Sequence, residues 1–167
     1  GFFLMATACT SMGGGVGDGD AGCPVATSAG SCGVETVQCR EAASHVEPGS
    51  SITWGSNPPA SGTHYYVWGR WGFHTDVLPR GYWVHNLEHG GVTISYNCRD
   101  CPELVSQIED FYTRWTDANR LPMFPNSTKV VVAPYYDMGN KIALTAWGHI
   151  DTFDQFDEQR IIRFIEA

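Results

Sequence analysis

Two adjacent glycines, Gly90-Gly91, divide this chain into stretches that obey different rules. Glycine loses more backbone freedom on ordering than any other residue, so a pair of them ends a helix and opens a turn. After them, Val92-Thr93-Ile94-Ser95-Tyr96 alternates apolar and polar residues, the period of a strand that keeps Val92, Ile94 and Tyr96 on one face. Before them stands Trp83-Val84-His85-Asn86-Leu87-Glu88-His89, where the glycines leave room for about one helical turn. The expectation is a tight turn leading into a strand.

Within such a turn, the four-residue spacing of His85 and His89 brings both imidazoles to one side, with Glu88 beside them. Two neutral imidazoles converging on one point suit Zn²⁺ or Cu²⁺. The letters also match H-x-x-E-H, the inverted zinc-protease signature, in which the glutamate activates metal-bound water. That signature belongs to a long helix, which Gly90-Gly91 opposes here.

Downstream, Cys98-Arg99-Asp100-Cys101-Pro102 precedes a stretch in which Leu104, Ile108, Phe111, Tyr112 and Trp115 recur at helical spacing through Asn119. Pro102 suits the first helical position, where a missing N–H goes unnoticed. Val130-Val131-Val132-Ala133 suits an inner strand and Ile142-Ala143-Leu144-Thr145-Ala146 a second one, with Tyr136-Asp137-Met138-Gly139-Asn140 as a hairpin turn between them. Asp154 or Asp151 can cap a last helix that buries Ile161, Phe164 and Ile165. The order β-α-β-β-α behind a turn-rich N-terminal half predicts an α+β fold, a mostly antiparallel sheet with two helices packed on one face.

Upstream, His45-Val46-Glu47-Pro48-Gly49 gives a turn and Ser51-Ile52-Thr53-Trp54 a short alternation. Asn57-Pro58-Pro59-Ala60-Ser61-Gly62-Thr63 fits neither a helix nor a central strand, so His64 stands at the end of a rigid loop, a frequent place for ligands. Trp68-Gly69-Arg70-Trp71-Gly72-Phe73-His74 reads as a packed surface loop. Residues 10–33 are a Gly/Ser-rich tether, and 34–167 a single α+β domain.

Residues 1–9 look like the end of a secretory signal, and Ala6-Thr7-Ala8-Cys9 resembles a bacterial lipobox, in which Cys9 becomes the lipidated first residue of the mature protein. The expected setting is the bacterial periplasm or cell surface, on a membrane surface reached through the lipid, with another envelope protein as a candidate partner. Eighteen acidic residues outnumber ten basic ones, for a net charge of −8 with no Lys/Arg cluster, which argues against nucleic acid. The sequence carries no sign of oligomeric state.

With Cys9 acylated, Cys23, Cys32, Cys39, Cys98 and Cys101 remain for pairing, an odd number that leaves one over. Cys98-x-x-Cys101 before a helix start has the form of a redox pair, since a helix N-terminus lowers a thiol pKa. The cis-proline loop of thioredoxin-like cores has no counterpart in the right order, so a structural disulfide is the preferred reading, within this pair or to Cys23, Cys32 or Cys39.

His64, His85 and His89 are the preferred metal ligands, with Glu88 as a fourth ligand or as a partner orienting an imidazole. Met123, Met138 and His74 are further candidates, a thioether favouring copper. Glu103 and Glu109 are candidates by position only for the third ligand of a protease, while His45 and His149 read as structural. The expected function is a cell-envelope protein that binds copper or zinc through a histidine cluster, in metal handling or electron transfer. One alternative is a metal-dependent hydrolase with Glu88 as general base; another is a non-catalytic envelope or assembly component whose histidines only brace loops.

Several separated words resemble one family. His45-Val46, Asn57-Pro58-Pro59-Ala60-Ser61-Gly62-Thr63-His64, Val84-His85-Asn86-Leu87-Glu88-His89-Gly90-Gly91-Val92, Val131-Val132-Ala133-Pro134-Tyr135 and Ile142-Ala143-Leu144-Thr145-Ala146-Trp147-Gly148 resemble the bacterial domain of unknown function numbered 3105, over about residues 45–166. Ala60 and Thr63 stand where that pattern has Thr and Pro. The resemblance implies an envelope setting and places the Ser-Gly-x-His and His-x-x-Glu-His words in one module. It supplies no reaction, and the tether with its cysteines lies outside it.

Overall fold

The computed structural model describes residues 40–124 and 127–167, and the backbone of two short strands before them, β1 (Ser28–Ala29) and β2 (Thr36–Val37). The lipobox with Cys9, and Cys23, Cys32 and Cys39, lie outside the described residues. Then come β3 (His45–Val46), β4 (His64–Tyr65), β5 (Gly72–Phe73), α1 (Arg80–Glu88), β6 (Val92–Tyr96), α2 (Pro102–Asn119), β7 (Val130–Pro134), β8 (Ile142–Ala146), β9 (His149–Phe153) and α3 (Glu158–Glu166). Among the described residues no helix is long and apolar enough to cross a membrane.

The class is α+β, but the main sheet is mixed rather than mostly antiparallel. Its order is β1-β2-β9-β8-β6-β7-β5, with β6–β7 and β7–β5 parallel and the remaining pairs antiparallel. The reason lies in α2: a helical crossover brings the chain back to the end of the sheet where it started, so β7 runs alongside β6 in the same direction. With β7 on one edge of β6, β8 takes the other edge. Residues 136–140 therefore cross over β6 instead of closing a hairpin. The hairpin in this part of the chain is β8–β9, turned at Trp147-Gly148. Ser28–Ala29 lies within the stretch read as tether, yet it pairs with Thr36–Val37, which pairs in turn with β9.

Among the described residues three helices cover the sheet, two on one face and one on the other. Side chains alternate along a strand, and β7 divides accordingly. Val130 and Val132 join Ile94, Ile142, Leu144 and the buried side chains of α2 and α3, while Val131 and Ala133 meet Trp83, Val84 and Leu87 of α1. Asp157, rather than Asp154 or Asp151, caps α3, accepting from the Arg160 amide at 2.9 Å. Asp154 instead holds the Lys141 amide at 3.0 Å, and the buried Asp151 pairs with the Arg160 guanidinium, Nε to Oδ2 at 2.7 Å.

Candidate metal centre

The surface loop read before α1 contains the edge strand β5, and α1 itself is longer than one turn. It runs nine residues from Arg80, and the glycines do end it, Gly90 with φ +73°, in the left-handed region that favours glycine. Six of its residues are buried: Gly81, Trp83, Val84, His85, Asn86 and Leu87. Gly81 is there because β4 lies against the helix; a Cβ at this position would stand 2.7 Å from the Tyr65 ring. That approach brings the Tyr65 carbonyl within 2.7 Å of His85 Nδ1.

The proline loop is fixed from several sides. Trp54 Nε1 donates to the Thr63 carbonyl (2.9 Å), Ser61 Oγ accepts from the Glu41 amide (2.9 Å), and the Gly148 amide donates to the Ala60 carbonyl (2.9 Å). The loop then delivers His64 into β4, whose parallel register sets it beside His45 of β3. His64 Nδ1 lies 2.8 Å from the Gly62 carbonyl, and its Nε2 lies 3.1 Å from Glu88 Oε2. The same carboxylate oxygen is 3.4 Å from His45 Nε2.

A carbonyl only accepts hydrogen bonds, so the Nδ1 atoms of both His64 and His85 carry hydrogen. In the neutral rings each Nε2 is then a bare lone pair, and the backbone has chosen the tautomer. His85 Nε2 faces His89 Nε2 at 3.0 Å, and His64 Nε2 faces the carboxylate. Two ligand triads result, His45/His64/His85 and His85/Glu88/His89, each with donor atoms within 4.8 Å of one another and sharing His85. Donors around a tetrahedral ion at about 2.0–2.1 Å stand roughly 3.4 Å apart; the contacts of 3.0, 3.1 and 3.4 Å fall close to that spacing.

The cluster has a buried end and a wet end. His64 is fully buried and His85 is 5% exposed, whereas the side chains of Glu88 and His45 are 27% and 49% exposed. Burial lowers the His85 pKa below its ordinary value of 6.5; its bond to the Tyr65 carbonyl opposes this in part, and the neighbouring imidazoles lower it further. The ring therefore stays in its ligating form to lower pH than a free imidazole. Trp68 stands edge-on over His85 and His89, at 5.7 and 5.3 Å between centroids. Its loop is clamped by Asn86, which accepts from the Gly69 amide (2.7 Å) and donates to the Gly69 carbonyl (2.9 Å).

The structure thus sets His64 against Glu88 and His85 against His89, with His64 and His89 in different triads linked through His85. It also adds His45, which sequence reasoning had set apart as structural; the one signal for it was that His45-Val46 opens the run of words resembling the family. His74 stands elsewhere, its Nε2 on the Arg70 carbonyl (2.7 Å) and its backbone against β7. Met138 lies beyond the end of β7 opposite to Lys129, whose Nζ donates to the His89 carbonyl at 2.8 Å, so it is at the wrong end of the sheet to ligate. Met123 is 84% exposed in the turn after α2, out in solvent rather than in a buried centre. Glu103 and Glu109 belong to α2, across the sheet from α1. His149 sits on β9, in neither triad. Cys98 and Cys101 are joined to each other, Cα to Cα 5.8 Å.

Fold and site together define an α+β domain organised around a cluster of four histidines and a glutamate. The chain belongs to the family described as "Protein of unknown function (DUF3105)", whose model matches residues 45–167 and so begins at His45 itself. No curated protein and no solved structure matches the chain.

Proposed function

We propose that this domain binds one divalent transition-metal ion, zinc or copper(II), through the buried His64 and His85 and the exposed His89, with His45 and Glu88 also on the solvent side, and that it serves metal handling at the cell envelope. One observation carries the reading. The buried His64 has its Nδ1 hydrogen committed to Gly62, so its Nε2 lone pair points at a carboxylate oxygen only 3.1 Å away. Two acceptors at that distance repel each other unless a proton or a metal cation lies between them. An ion there would also have within reach the His45 nitrogen, 3.4 Å from the same carboxylate oxygen, and His85 Nε2, which without an ion accepts from His89 Nε2 at 3.0 Å.

All the donors are nitrogen or carboxylate oxygen, a set that suits Zn²⁺ or Cu²⁺ and lacks the thiolate and thioether of electron-transfer copper sites. Metal handling is therefore favoured over electron transfer. The test is metal analysis and titration of protein purified without an affinity tag. Stoichiometric zinc or copper, with a rise in melting temperature on loading, is the expected result. Protein that gains neither metal nor stability from either ion leaves the histidines as a brace between loop and helix.

A second reading, hydrolysis, draws on the exposure of Glu88 and His45, which leaves a water-accessible side to an ion held by the buried imidazoles. Glu88→Gln separates the two: a hydrolase keeps its metal and loses turnover, whereas a binding site loses affinity. We further infer export and a lipid anchor at Cys9, from the lipobox-like Ala6-Thr7-Ala8-Cys9. The intact mass of membrane-extracted protein decides this, and a Cys9 free of acyl chains removes the anchor.

A further inference from the structure

We propose that the Cys98–Cys101 disulfide is a redox-active pair that accepts electrons from the cysteine pair of another polypeptide, a second site independent of the metal centre. The two lie at opposite ends of β6. Its five residues at about 3.4 Å each separate them by roughly 17 Å, with the histidines before Val92 and the cysteines after Tyr96.

The first argument is placement. β6, α2 and β7 form a βαβ unit with its two strands paired in parallel, and the C-x-x-C sequence fills the junction between strand and helix. That is where redox motifs of the thioredoxin type stand. Cys101 is the N-cap of the 18-residue α2, and no side chain caps this end. The Cys101 sulfur makes no capping bond itself, but its residue stands at the positive end of the helix, whose field favours Cys101 as a leaving thiolate. Glu103 in the first turn opposes this and Arg99, held 3.9 Å over the Tyr136 ring, supports it.

The second argument is access. Both cysteines are only partly buried, and Cys101 lines two open grooves, one shared with Leu104, Lys141 and Phe156, the other with Cys98, Arg99 and Val105. A polypeptide can reach the disulfide along surface that mixes these apolar and basic groups with the carboxylates of Glu103, Asp154, Asp100 and Glu109.

The third argument is that the bond does little as a staple. It closes a loop between residues only three apart in sequence, so it removes few unfolded conformations. The junction is held without it: the Asn97 amide donates to the Lys141 carbonyl at 2.8 Å and Asn97 Nδ2 to the Met138 carbonyl at 2.6 Å, while the Leu104 amide bonds the Cys101 carbonyl at 3.1 Å.

In the step itself, a thiolate of the partner's dithiol attacks Cys98 Sγ. A mixed disulfide forms, the Cys98–Cys101 bond breaks, and Cys101 leaves as the thiolate. The partner's second thiolate then attacks the partner sulfur of the mixed disulfide and releases Cys98. Two electrons and two protons have passed to this protein, which ends as Cys98-SH and Cys101-SH, and the partner ends with a disulfide. A further disulfide, such as oxidised glutathione, resets the pair by the reverse exchange.

The test uses the full chain with a metal chelator present, so that it is blind to the histidine cluster. Protein is equilibrated in mixtures of reduced and oxidised glutathione, trapped with a maleimide, and the state of the 98–101 segment is read by peptide mass; both redox forms are melted. Oxidation of a dithiol peptide by oxidised glutathione is then followed with wild type, Cys98→Ser and Cys101→Ser. The expected result is reversible reduction within the glutathione range, a reduced form that still melts cooperatively, and peptide oxidation at least about tenfold faster with wild type than with either variant. A pair that stays oxidised in every mixture, one whose reduction unfolds the domain, or wild-type peptide oxidation no faster than the variants' would each overturn the proposal.

Discussion

α1 and α2 lie on opposite faces of one sheet and are built on different principles. α2 is amphipathic: Leu104, Ile108 and Phe111 form its buried stripe, and most of the rest meets solvent. It closes a hydrophobic core with α3 over Ile94, Val132, Ile142 and Leu144. α1 is enclosed nearly all round, between the sheet on one side and β4 with its proline loop on the other, and it carries His85 and Asn86 inside. The larger face, apolar except for the buried Asp151 paired with Arg160, stabilises the fold, and the smaller face holds the histidine cluster. Phe111→Ala tests that division with the largest expected effect. Removing a fully buried aromatic ring costs about 3–5 kcal/mol, read by denaturant unfolding, while metal bound per folded molecule stays as in wild type. Loss of metal from variant that is still folded would show that the two faces act as one unit.

Next in size is His85→Ala. His85 belongs to both ligand triads, so affinity for Zn²⁺ or Cu²⁺ should fall by about 100-fold, or roughly 2.7 kcal/mol. His45→Ala, at the exposed end, should lose only about tenfold. Competition against a chelator of known affinity measures both. Equal losses would erase the distinction between a buried end that fixes the ion and a wet end that completes it.

The same contrast explains what could be read from the sequence. α2 repeats its apolar residues with the helical period because one side faces water, so its extent was legible to the residue. α1 has no polar side, and Arg80-Gly81-Tyr82-Trp83-Val84-His85 gives no period; only its end, at Gly90-Gly91, announced itself. β6, β7 and β8 were visible as apolar or alternating runs. Their neighbours were not, because which edge of β6 receives β8 depends on where the α2 crossover leaves β7. In the site, the spacing of His85, Glu88 and His89 could be read from one helical turn. His45 could not, since it reaches His64 only through a ladder of two-residue strands that no local pattern specifies.

Asn86 lets the comparison be sharpened without touching a proposed ligand. Its amide makes two bonds to the Gly69 backbone, both buried. Asn86→Ala leaves the Gly69 carbonyl without this partner and the Gly69 N–H with only its longer bond to the Tyr82 carbonyl (3.2 Å), and should destabilise the domain by about 1–3 kcal/mol. It also frees the loop that sets Trp68 over His85 and His89. Metal affinity should fall by less than for His45→Ala, because no donor atom is lost. A drop as large as that of His85→Ala would make the Trp68 loop a part of the binding site.

The smallest effect is the most diagnostic of how α1 is enclosed. His85 is held neutral by burial, with its folded pKa below 6.5. Above that value the ring is neutral both folded and unfolded, and stability does not change with pH on its account. As pH falls below 6.5 the unfolded chain takes up a proton at this residue and the folded chain does not, so unfolding gains in favour until the folded pKa is reached. Metal-free protein should therefore lose denaturant resistance progressively between about pH 7 and pH 5, and His85→Asn should show a shallower slope across that window. A metal ion on the same ring must be displaced by protons, so loaded protein should show the steeper dependence of the two. Identical slopes for wild type and His85→Asn would mean that the ring takes up its proton equally well in either state, and α1 could then not be the sealed helix on which the metal centre depends.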